Sequence, residues 1–200
     1  MSAAGDGVAG LWARTLEELG ERLVHEMKNA LNGVAVNVEV VRARAGADAS
    51  RIAPFAEIAA TELEGVVRLT ESLLWLVRPL AQPVDVGAAA ARLAVLGGAL
   101  ARAGGGRVVL EPAAADAVSG ASADVVRLLL AAAMLRATAS PGTVCCVVTA
   151  GARPIVGVRH SEASMPKSLT PELGAVAHEA GVGVECHAEG WTFTFPSPQE

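Results

Sequence analysis

From residue 16 to residue 41 the apolar side chains fall at Leu16, Leu19, Leu23, Met27, Ala30, Val34, Val38 and Val41. Steps of three and four put them on one stripe of an α-helix. A break follows at 45–50, and then Phe55, Ile58, Val66, Leu69, Leu73, Leu76 and Leu80 repeat the spacing. Pro54 is placed in the first turn of this second helix, where a missing N–H costs nothing. Pro79 and Pro83 end it. Residues 1–10 read as a tail and residues 11–82 as an antiparallel helical hairpin. A hairpin alone has too little partner surface to bury both stripes. Pairing with a second copy into a four-helix bundle is the usual remedy, so a homodimer is expected.

After Pro83 the texture changes, and short β-like runs alternate with helical ones. The pattern predicts a strand over 84–86, an Ala-rich helix over 87–103, a turn at Gly104-Gly105-Gly106 and a strand over 107–111. Ser122 is a plausible N-cap for a helix over 123–139, closed by Pro141-Gly142. Residues 143–149 and 155–160 read as a hairpin. Thr170-Pro171 opens a helix to about residue 180, and 182–187 with 191–195 make a last hairpin around Ala188-Glu189-Gly190. Helices on one face of a mixed sheet form an α+β sandwich over 83–200. No internal repeat is visible.

Composition narrows the function classes. The chain has 200 residues, 52% of them hydrophobic but only 3% aromatic, and a formal charge of -5. Its core is therefore built from small and branched aliphatics. No cluster of Lys and Arg offers a footprint for nucleic acid, and no basic amphipathic stretch suits a membrane surface. The N-terminus lacks the pattern of a signal peptide. The most apolar segment, 125–139, is too short to span a bilayer and is interrupted by Arg127 and Arg136. Both arginines are expected to be solvated. Three cysteines make no disulfide framework. The expectation is a soluble, cytoplasmic protein.

One segment carries chemistry: Val24-His25-Glu26-Met27-Lys28-Asn29-Ala30-Leu31-Asn32-Gly33. His25 lies two residues from both Leu23 and Met27, which turns it about 200° from the buried stripe. Asn29 follows one turn later, with Asn32 and Arg22 flanking, and Glu26 is the next residue. A neutral imidazole is nucleophilic near physiological pH. Glu26 can hold the ring's other N–H or take its proton, and Asn29 can orient a water or a phosphoryl group. A lone exposed His is most often merely solvated. Metal binding is disfavoured, because positions i+3 and i+4 from His25 hold Lys28 and Asn29.

The run from His25 to Gly33 resembles the phosphoacceptor box of sensor histidine kinases, in which His-Glu is followed by two residues, Asn or Thr, and usually Pro-Leu. Ala30 stands where Pro is common. The resemblance implies His25 as phosphoacceptor, Glu26 as acid/base and Asn29 at the position linked to dephosphorylation. It also implies an ATP-binding domain after the hairpin, and Gly190-Trp191-Thr192-Phe193-Thr194-Phe195-Pro196 is similar to the strand that ends such domains.

The nucleotide motifs that this family uses are missing. The helix over 125–137 has Ala or Met where the family carries metal-bridging Asn. The segment 158–166 has no Asp with paired glycines, and no second Gly-rich lid follows. No cofactor is therefore expected on this chain. A histidine phosphotransfer protein is the leading reading: receiver-domain aspartates of response regulators, with their own Mg²⁺, would exchange a phosphoryl group with His25. An upstream hybrid kinase is a possible further partner. Two alternatives stay open, a divergent ATP-dependent histidine kinase and a non-catalytic dimeric adaptor that binds or inhibits receivers or a kinase. Elsewhere, Cys145-Cys146 reads as core packing. Cys186-His187 with His160 and His178 has no metal-ligand spacing. Gly104-Gly105-Gly106 lacks the Lys-Ser/Thr of a phosphate loop.

Overall fold

The computed structural model describes residues 3–44, 49–78, 83–111, 117–162, 165 and 168–198. The expected hairpin is present as α1 (Ala3–Ala43) and α2 (Ala49–Val77). Residues 3–10, expected as a tail, continue α1, and Val8 packs partly against the core. Gly5, Gly7 and Gly10 are poor helix formers, and the contact of Val8 and Leu11 with the core overrides that local preference. Pro54 lies in the second turn of α2 rather than the first, where it forgoes one helical hydrogen bond. The hairpin turn at 45–48, and the expected end of α2 at Pro79 and Leu80, lie outside the described residues.

An α/β sandwich follows, as expected. Its elements are β1 (Val84–Asp85), α3 (Val86–Ala103), β2 (Arg107–Leu110), β3 (Val118–Ser119), α4 (Ala123–Ala137), β4 (Thr143–Thr149), β5 (Ile155–His160), α5 (Pro171–Glu179), β6 (Gly183–His187) and β7 (Gly190–Thr194). Side-chain caps start α3, α4 and α5. Asp85 accepts from the Ala88 amide at 2.9 Å, and Ser122 and Thr170 accept from Val125 and Leu173 at 3.4 Å. Gly105 closes α3 with a φ of 78°, a conformation that disfavours any residue with a Cβ. Strand β3 has no counterpart in the sequence reading. It is two residues long and exists only as the partner of β1, too short to leave a periodic signal.

The main sheet has the order β2-β4-β5-β7-β6. Strand β2 runs parallel to β4, and the other pairs are antiparallel. A parallel pair needs a long crossover, and α4 lies within it. In register, Val144 faces His160, Cys146 faces Val158, and Val158 faces Trp191. These residues are all buried, on the face that meets the helices. Burial pushes the Cys146 thiol up to about 12, helped by neighbouring Cys145. Cys145 was expected in the core, but it lies half-buried on the opposite face of β4. Alternation along a strand sends neighbouring residues to opposite faces.

Helix α4 explains the layering. Of its 15 residues, 13 are buried, because the sheet lies on one side and α1 on the other. The hairpin thus forms a third layer over α3, α4 and α5. Leu19 and Leu23 of α1, and Leu69 and Leu76 of α2, belong to the same buried cluster as Leu93, Leu96, Leu128, Leu135 and Phe193. The stripe read from the sequence divides accordingly. Its first half is fixed on the sandwich, whereas Val38 is 42% exposed. Helix α3 is long and apolar enough to cross a membrane by composition. Ten of its 18 residues are buried against the hairpin and the sheet.

A shared core predicts shared unfolding. Hairpin and sandwich should melt in one cooperative transition, followed in denaturant by far-UV circular dichroism and by tryptophan fluorescence. Leu23→Ala should lower stability by about 2–5 kcal/mol, as for other fully buried leucines. Two separated transitions, or a loss near zero, would contradict the single core.

Candidate functional site

Leu23 is fully buried and Met27 packs on the core, so the turn of α1 that carries His25 is held from below. His25 is exposed, as its phase requires. Asn29 and Asn32 are also exposed, and Glu26 and Arg22 are half-buried. Among the described residues neither ring nitrogen of His25 has a hydrogen-bond partner. Glu26 does not reach the imidazole, since consecutive helical side chains diverge by about 100°. It turns instead toward α2 and α3.

Two hollows flank this ridge and share Glu26. One, of about 340 Å³, is lined by Glu21, Arg22, His25 and Glu26 of α1 and by Leu100 and Ala103 of α3. The other, of about 300 Å³, adds Asn29 and Gly33 of α1, Glu62 and Gly65 of α2, and Ala99 and Arg102 of α3. Together they form a groove along α1 whose far wall is the last turn of α3. Small residues keep it open: a Cβ on Gly65 would meet nothing within 4 Å. The sequence reading found the ridge of His25, Glu26 and Asn29 but not this wall. No local signal predicts which part of α3 meets α1, because that contact joins segments about 75 residues apart.

Arginines sit at three helix C-termini here, where the backbone carbonyls carry partial negative charge. The Arg22 guanidinium approaches the Thr138 carbonyl, at the end of α4, at 3.5 Å. Arg102 occupies the last turn of α3. Arg127, expected to be solvated, is only 2% exposed. Its guanidinium lies 5.0 Å from the Trp75 ring centroid and donates to the Arg78 carbonyl at 2.5 Å, just past the end of α2. Burial lowers its pKa, and Asp124 at 3.7 Å partly offsets this. Among the described residues its Nε has no hydrogen-bond partner. The one cue in the sequence was Asp124 three residues earlier. Arg136, by contrast, is exposed as expected.

The remaining candidates do not converge. His160 is buried on β5, where Nδ1 accepts from the Glu162 amide at 3.1 Å. His178, Cys186 and His187 are exposed. Among the described residues no three of His, Cys, Asp and Glu cluster as metal ligands would. Residues 163–164 and 166, part of the segment compared with the family's glycine motif, lie outside the described residues. A further hollow of about 540 Å³ opens between α1, α4 and the start of α5, lined among others by Leu11, Arg14, Ala132, Arg136 and Glu172. The Glu172 carboxyl is held below its ordinary range by its own backbone amide and Thr170, despite a small opposing desolvation, with Arg14 adding to the effect.

No family model and no curated protein matches the chain. Among solved structures, it is similar to the Acinetobacter baumannii histidine kinase AdeS, at 11% identity and a TM-score of 0.42, over 86% of this chain and 98% of that one. It is also similar to full-length ShkA in complex with AMPPNP, at 17% identity and a TM-score of 0.38, over 90% of this chain and 46% of that one.

The role of Arg127 as a tie between α4 and α2 is testable. Arg127→Ala should cost about 1.5–3 kcal/mol, as expected for a lost charged hydrogen bond. It should also speed hydrogen exchange at the C-terminal end of α2. Unchanged stability and exchange would show that the tie carries nothing.

Proposed function

We propose that the chain is a histidine phosphotransfer protein of a two-component relay, with His25 as the residue that carries the phosphoryl group. The observation that supports this most is the setting of His25. It is an exposed imidazole on a turn fixed from beneath by Leu23, at the head of an open groove, with Glu26 and Asn29 on the groove side. A receiver-domain aspartyl phosphate would supply the phosphoryl group, and the receiver would supply Mg²⁺. Neutral His25 attacks phosphorus through one ring nitrogen as the bond to the aspartyl oxygen breaks. The aspartate leaves as a carboxylate, and the proton on the other ring nitrogen passes to Glu26 through a bridging water or to solvent. Asn29 orients the incoming phosphoryl group, or a water in the hydrolytic side reaction.

The functional unit in this reading is a homodimer. Val24, Leu31 and Val38 recur every seven residues on α1 and are 60%, 47% and 42% exposed. On α2, Leu63, Val67 and Leu74 are 50%, 50% and 45% exposed. A stripe of this kind suits helix pairing with a second copy. It lies about 100–140° round α1 from His25, so pairing through it leaves the imidazole free. Nucleotide plays no part. The positions on α4 at which the resembled family carries Asn are apolar, and that helix is buried between sheet and hairpin.

Incubation with a phosphorylated receiver should give acid-labile labelling of the wild-type chain. His25→Ala should lose that labelling entirely while keeping the oligomeric state of the wild type. Continued labelling of the mutant would overturn the assignment. Self-labelling with Mg-ATP alone would favour a divergent kinase. An unlabelled wild-type chain that still slows phosphate loss from the receiver would favour the adaptor.

A further inference from the structure

We propose that Arg102, carried by the α/β domain rather than by the hairpin, is the residue that binds the phosphoryl group as it arrives on His25. The inference rests on the phosphotransfer reading and extends it. The hairpin would supply the nucleophile, and the sandwich would supply the compensating charge.

The electrostatics of the groove require such a charge. Its far wall is the C-terminal turn of α3, with Leu100 and Ala103 lining the hollow that holds His25. A helix C-terminus carries about half a negative charge, which at α3 is partly offset by the Gly104, Gly105 and Gly106 amides donating to the Ala101 and Arg102 carbonyls. Glu26 and Glu62 line the adjoining hollow. With Glu21 in the hollow of His25, a phosphoryl dianion entering here meets four sources of negative potential, and transfer would be slow without a cation. Three candidates are near. Arg22 lines the hollow that holds His25, but its guanidinium is turned to the end of α4, 3.5 Å from the Thr138 carbonyl. Lys28 is exposed and lies on the flank of His25 away from the groove, by its phase on the helix. Arg102 lines the adjoining hollow, opposite Glu26 and Asn29.

The side chain of Arg102 is also free to move. Its guanidinium lies back along α3, with Nη1 3.8 Å from where a Cβ on Gly98 would stand. Rotation about the side-chain torsions brings the planar fork over the hollow, where it can hold two phosphoryl oxygens at once. Charge-assisted hydrogen bonds of this kind shorten the approach of donor and acceptor without covalent change. The transfer step is the one given above: the N–P bond forms at His25, the P–O bond to the receiver aspartate breaks, and Arg102 gains and loses no proton.

The test is rapid-quench transfer from a phosphorylated receiver to the full chain, over a range of receiver concentrations. Arg102→Gln should lower the maximal transfer rate roughly tenfold or more, as for the loss of one charged hydrogen bond, with little change in half-saturating concentration. Arg102→Lys should restore only part of the rate, because it returns the charge without the two-oxygen fork. Arg42→Gln removes the same charge from the far end of α1, about 25 Å from His25 along the helix, and should leave transfer unchanged. A labelled wild-type chain with an unimpaired Arg102→Gln variant would overturn the proposal alone, as would a loss only in half-saturation. An unlabelled wild-type chain would overturn the phosphotransfer reading, and this inference with it.

Discussion

The rest of the structure depends on one contact, the burial of Leu19, Leu23, Leu69 and Leu76 in the same core as α3 and α4. Each of these leucines is at most 5% exposed, and full burial of such a side chain is worth about 1.5–3 kcal/mol. Four together outweigh anything the surface ion pairs contribute. The pair Arg92–Glu71 between α3 and α2 spans 3.9 Å and is well exposed, a setting in which ion pairs add little. Apolar burial therefore fixes the angle between hairpin and sandwich, and with it the distance from His25 to the end of α3.

That anchoring divides the hairpin into two parts with different duties. The part near the sandwich is packed on both sides and carries the turn with His25. Further along, the hairpin leaves Val38, Leu63 and Val67 facing outward. The helix C-termini collect near the first part, and each has an arginine. The ends of α2 and α4 are met by arginines from other elements, Arg127 and Arg22. The end of α3 has only its own Arg102. Cations at these ends offset partial charges that would otherwise oppose one another.

Much of this was legible in the sequence because it rests on local periodicity. The two helical stripes, the caps at Ser122 and Thr170, the turn at Gly105 and the four strands β4 to β7 all announce themselves within a few residues. The exposed phase of His25 follows from Leu23 and Met27 alone. What was illegible depends on contacts between distant segments. Arg127 looked solvated because nothing near it in sequence shows that Trp75 and the Arg78 carbonyl will cover it. Val38 looked buried because periodicity gives the direction of a stripe but not how far a neighbour extends along it. Strand β3 and the α3 wall of the groove exist only through pairing with remote residues. The roles of Glu26 and Asn29 were read from their positions beside His25 and from resemblance, and the geometry places Glu26 beside the groove rather than on the imidazole.

The chain contains four histidines, His25, His160, His178 and His187, of which only His25 lies on the hairpin. The most direct measurement is to locate the phosphoryl group by mass spectrometry after incubation with a phosphorylated receiver, with digestion kept at neutral or mildly alkaline pH. Cleavage after Arg22 and Lys28 isolates the segment 23–28. Phosphate on that segment, fragmenting at His25, is the predicted result. Phosphate on a segment holding one of the other histidines, or on none, would contradict the assignment of His25 as the carrier.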